Sequence, residues 1–125
     1  MFNSRIAALI LLSLSGAAAA QSMNADAFYK RAVALKAKGP LALVSGDLKP
    51  MMREAKATGL HVRSARLATL KAGKQPRYCP PEGAKRMGPE EFIAALGKIP
   101  AAERSRIDLS EAMTHILARK FPCTA

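Results

Sequence analysis

Apolar residues recur at helical spacing in several stretches of the chain, and each stretch is bounded by residues that start or stop a helix. Asn24 is placed to cap a first helix with Asp26 in its opening turn, and Phe28, Ala32 and Leu35 share one stripe with Tyr29 and Val33 beside it. Gly39-Pro40 ends it, because proline cannot continue the hydrogen-bond ladder, and Leu41–Val44 then form a short turn closed by Ser45-Gly46. Asp47 is read as the cap of a long helix from about Leu48 to Ala72, with Pro50 tolerated in its first turn. Met52, Ala55, Gly59 and Val62 make its apolar row, and Leu60, Leu67 and Leu70 lie to one side. Gly59 marks either a kink or a close helix crossing, and Arg53, Lys56, Arg63, Arg66 and Lys71 fall mostly outside the row.

After Gly73-Lys74-Gln75-Pro76 comes an irregular segment, Arg77 to Gly83, stiffened by Pro80-Pro81. A third helix begins at Gly88-Pro89 and buries Phe92, Ile93 and Leu96 before Gly97; Ile99-Pro100 breaks the chain, and Ala101–Arg104 add one turn. In the last helix Asp108 and Glu111 have capping-box spacing, and Leu109, Ala112, Met113, Ile116 and Leu117 form a stripe running to about Lys120. The pattern predicts an all-α fold: a small single-domain bundle of about four helices.

The N-terminus is of a different kind. One cation, Arg5, precedes an apolar run from Ile6 to Leu14 and then Ser15-Gly16 and four alanines. This is the order of a cleaved signal peptide, residues 1–20, and the run is too short for a membrane anchor. The mature domain is then 21–125, and it is expected in the periplasm. In that oxidising setting Cys79 and Cys123 read most simply as one disulfide, which makes the bundle a stapled one. Neither cysteine has the spacing of a zinc site, and His61 and His115 occur without a recognisable catalytic signature, so no metal, cofactor or enzymatic activity is expected. Met51, Met52 and Met113 are read as core filler, His115 as a boundary residue and His61 as a surface one.

The formal charge is +11, one unit less without Arg5, which favours acidic partners. Export and the absence of tryptophan argue against nucleic acid. Anionic lipid or glycan, or an acidic protein surface, remain. The long helix with Gly59 packs either within the monomer or across a two-fold axis, so a homodimer is possible.

Tyr78-Cys79-Pro80-Pro81, Phe92-Ile93, Ile99-Pro100, Arg104, Ala112, Leu117 and the closing Phe121-Pro122-Cys123 together resemble the Rap/Tai family, with weaker support from Lys38 to Leu43. Members of that family are small periplasmic immunity proteins that protect bacteria against peptidoglycan amidase effectors delivered by type VI secretion. The resemblance is best between Tyr78 and Cys123. It implies an all-helical fold, a Cys79–Cys123 bridge, and an amidase inhibitor that occupies an enzyme's groove without catalysis of its own. This chain is more basic than a typical member, and the resemblance assigns no role to the double proline. On this reading Lys71, Lys74, Arg77, Lys85 and Arg86 flank the stapled loop and steer it to an acidic effector surface. The alternative reading is a basic envelope-binding module for anionic glycan or lipid.

Overall fold

A computed structural model describes residues 22–124, so the expected leader, 1–20, lies outside the described residues. Five α-helices and one 3-10 helix follow in order: α1 (Ala25–Ala37), the 3-10 helix (Gly39–Val44), α2 (Leu48–Lys71), α3 (Pro89–Lys98), α4 (Ala101–Arg104) and α5 (Leu109–Lys120). The all-α class, the helix order and the Cys79–Cys123 disulfide are as predicted. No helix among the described residues is long and apolar enough to cross a membrane.

The core lies between α1, α3 and α5. Phe28 and Ala32 of α1 meet Phe92 and Leu96 of α3 and Leu109, Ala112 and Ile116 of α5, with Met51 entering from α2. The Phe28 and Phe92 rings sit 6.0 Å apart at 53°, an inclined arrangement that aromatic pairs favour. Asn24 caps α1 as predicted, its Oδ1 accepting from the amides of Asp26 and Ala27. Its Nδ2 also donates to the Ser105 carbonyl. An isolated antiparallel bridge between Asn24 and Asp108 then ties the start of α1 to the start of α5, through Ala25 N to Ile107 O and Leu109 N to Met23 O.

Three expectations about α2 and its neighbours are corrected. Asp47 makes no side-chain cap, because its backbone (φ −83°, ψ −21°) is already helical and a capping side chain needs an extended residue. The buried row of α2 is Met51, Thr58 and Val62, rotated by about one residue from the predicted Met52 and Gly59, so Met52 is 62% exposed rather than core filler. Gly59 marks no close crossing, since a Cβ built there would have nothing within 4 Å. The close approach occurs instead at Gly97, where a Cβ would come within 2.9 Å of the Tyr29 hydroxyl. α3 also runs past Gly97 to Lys98, beyond its predicted end.

Thr58 is 2% exposed, and its hydroxyl has no hydrogen-bond partner among the described residues. Replacing it with valine removes a buried polar atom at nearly constant shape. Thr58→Val should therefore raise stability by about 1 kcal/mol in a urea titration. An unchanged or lower midpoint would show that the hydroxyl is satisfied in solution.

Candidate functional site

Residues 72–88 join α2 to α3 and are the longest irregular segment among the described residues. Three attachments fix where this segment leaves the bundle. Cys79 is bonded to Cys123 with Cα atoms 4.9 Å apart, and its amide donates to the Phe121 carbonyl at 2.8 Å. The Tyr78 side chain is buried, while its carbonyl accepts from Arg66 Nε at 3.1 Å and its ring lies 5.5 Å from the Arg66 guanidinium carbon. Burial raises the Tyr78 hydroxyl above its usual range, so the ring stays neutral.

Beyond Cys79 the chain turns sharply. The Ala84 amide donates to the Pro81 carbonyl at 3.1 Å with Gly83 at φ +76°, the hydrogen bond and left-handed third residue of a type II turn. Pro81 through Arg86 are all exposed, and Met87 brings the chain back against the core. The result is a projecting turn whose two ends are held.

Arg77 faces α5. Its guanidinium grips Glu111 with both terminal nitrogens, at 2.8 and 2.7 Å. His115 shares the same carboxylate, Nε2 to Glu111 Oε1 at 3.0 Å, with Glu103 3.5 Å from its other ring nitrogen. Arg77 chiefly, and His115 secondarily, hold the Glu111 carboxyl below the ordinary glutamate range. Beside this cluster an open groove of about 290 Å³ separates α2 from α5, lined in part by Val62, Arg66, Tyr78, Ser110 and Thr114. Of its charged groups, Arg77 is paired with Glu111, Arg66 is held by the Tyr78 carbonyl and Asp108 by the Glu111 amide, and the described residues contain no group of three or more His, Cys, Asp or Glu side chains able to hold a metal ion.

Of the five residues expected to steer a partner, Arg77 is thus committed to an ion pair within the fold. Lys71, Lys74, Lys85 and Arg86 are exposed and form no ion pair among the described residues. His61 is exposed and His115 half-buried, as read from the sequence. Arg104, part of the family resemblance, is structural: it is 7% exposed, bonds Asp26 at 2.8 Å, and donates to the Leu96 and Ile99 carbonyls. Sequence reasoning missed a second surface. Met52, Leu60, Leu67 and Leu70 of α2, with Leu41, Leu43 and Val44 of the 3-10 helix, are large apolar residues left in solvent. The available signal was the seven-residue spacing of Leu60 and Leu67 in register with Lys56 and Arg63.

No family model, curated protein or solved structure matches this chain.

Proposed function

We propose that this chain is a periplasmic immunity protein that binds a peptidoglycan amidase effector and blocks its groove. The observation that carries the reading is the projecting turn Pro81–Ala84, held at its base by the disulfide, the Cys79 amide and the Tyr78 carbonyl. A loop already fixed in one shape loses little conformational entropy on entering a cleft, which is what an inhibitor that plugs an active site requires. Lys85 and Arg86 follow the turn directly and give it a positive approach side. The leader-like N-terminus and the Rap/Tai resemblance supply the compartment and the class of target.

The test uses residues 21–125, which contain every described helix and both cysteines. Release of peptide from isolated peptidoglycan by a secreted amidase is measured with and without a stoichiometric amount of this protein. The expected result is suppression of that release, with Lys85→Glu plus Arg86→Glu slowing association about tenfold at low salt. If association is unchanged, the cations are removed from the reading; if a panel of secreted amidases is neither bound nor inhibited, the immunity function itself is wrong.

A further inference from the structure

The outer side of α2 is the least explained surface of the molecule. Met52 is 62% and Leu60 59% exposed, and Leu67 and Leu70 continue the same side toward the end of the helix. Lys49, Lys56 and Arg63 recur every seven residues among them, with Arg53 and Lys71 at the margin. Seven residues are two helical turns, so leucines and cations run together as one stripe about 30 Å long, directed away from the buried Met51, Thr58 and Val62. The 3-10 helix, packed against α2, adds Leu41, Leu43 and Val44, the last 83% exposed.

Charge on this side is almost wholly of one sign. Between Lys38 and Lys74 there are eight basic residues and two acidic ones. Asp47 lies 3.9 Å from Lys38, and Glu54 is half-buried and accepts the Met23 amide at 2.7 Å. None of Lys49, Arg53, Lys56, Arg63 or Lys71 is in an ion pair among the described residues.

We propose that this face docks on an anionic lipid surface, with α2 lying in the headgroup plane and Leu43 and Val44 entering the acyl boundary. Leucines bordered by lysine and arginine are the pattern of interfacial helices: the apolar atoms leave water while the long basic stems reach phosphate. A second copy of this chain fits the face poorly. Self-pairing would bring cation against cation along the stripe, because the one carboxylate of the helix, Glu54, is half-buried and engaged by the Met23 amide. An anionic bilayer answers the leucines and the charge together. The inference is independent of the amidase reading, which uses the turn at Pro81–Ala84.

Co-sedimentation of residues 21–125 with vesicles tests it, phosphatidylcholine containing phosphatidylglycerol against phosphatidylcholine alone. Binding to the anionic vesicles should be at least about tenfold tighter and should weaken as salt rises. Lys56→Glu with Arg63→Glu should cost about twentyfold or more, since each cation near such a surface contributes about fivefold. Leu43→Gln with Val44→Gln should cost about tenfold at unchanged charge. All four positions are exposed, and far-UV circular dichroism checks that the helices persist. Equal binding to neutral vesicles, or charge-reversed protein binding as well as the original, overturns the proposal. So does a dimer in solution that Leu60→Gln with Leu67→Gln dissociates while anionic vesicles bind nothing, an outcome that assigns the face to a second copy. If a variant unfolds, the lipid and salt dependence of the unaltered protein decides.

Discussion

Arg104→Ala should be the most damaging single substitution, lowering stability by about 3–5 kcal/mol and the melting temperature by about 10–20 °C. Arg104 is buried at the junction of three helices. Its Nε meets Asp26 Oδ1 on α1, and one terminal nitrogen serves the carbonyls of Leu96 and Ile99 at the end of α3. Its guanidinium carbon also sits 4.0 Å from the centroid of the Tyr29 ring. Alanine would leave two carbonyls without this donor and the Asp26 carboxylate with Lys30 alone, at 3.0 Å. Arg104→Lys should fall between, because an ammonium cannot span carboxylate, carbonyls and ring at once.

Acid titration gives a second readout. Lys30 first and Arg104 second hold the Asp26 carboxyl below its ordinary range. A carboxylate depressed in the folded state stabilises fully above its unfolded value, near 3.9, and loses that contribution as pH falls through the folded value. Unfolding below about pH 4 should therefore be less steeply pH-dependent in Arg104→Ala than in the unaltered protein. A parallel acid profile would mean that Arg104 acts through packing and the two carbonyls alone.

Cys79→Ala with Cys123→Ala should cost about 2–4 kcal/mol, read as a fall of about 2 M in the urea midpoint. The bridge closes a loop of sequence separation 44, and the unfolded chain gains the freedom to open it. The folded state should survive, because the Cys79 amide still has the Phe121 carbonyl and Tyr78 remains buried. Hydrogen exchange should locate the difference, with protection falling most at Cys79 and Phe121 and least at Leu96 and Leu109. Uniform loss across the chain would show that the disulfide supports the whole core rather than the loop and the end of α5.

The two predictions concern features of opposite legibility. Asn24, Asp26, Gly39-Pro40, Gly88-Pro89 and the Asp108/Glu111 pair are local signals, because a cap or a breaker acts within one turn of its own position; helix order and the all-α class followed from them. Two cysteines, with an exported chain read from the N-terminus, left one pairing. Arg104 is different. Its partners lie 78, 8 and 5 residues away, and nothing local distinguishes it from the surface arginines.

Of the candidate site, the stapled loop was visible in Cys79-Pro80-Pro81, but the engagement of Arg77 by Glu111, 34 residues away, was not. The face of α2 shows the limit most plainly. Its sequence carries apolar residues on more than one side, so periodicity alone admits two neighbouring rows. Only the positions of α1 and α5 decided that Met51, Thr58 and Val62 are covered while Met52, Leu60, Leu67 and Leu70 are left in water. Helix formation is set by neighbours in sequence, and the sequence by itself determined where the helices run. Burial is set by neighbours in space, and the tertiary structure alone chose the surface that remains to bind.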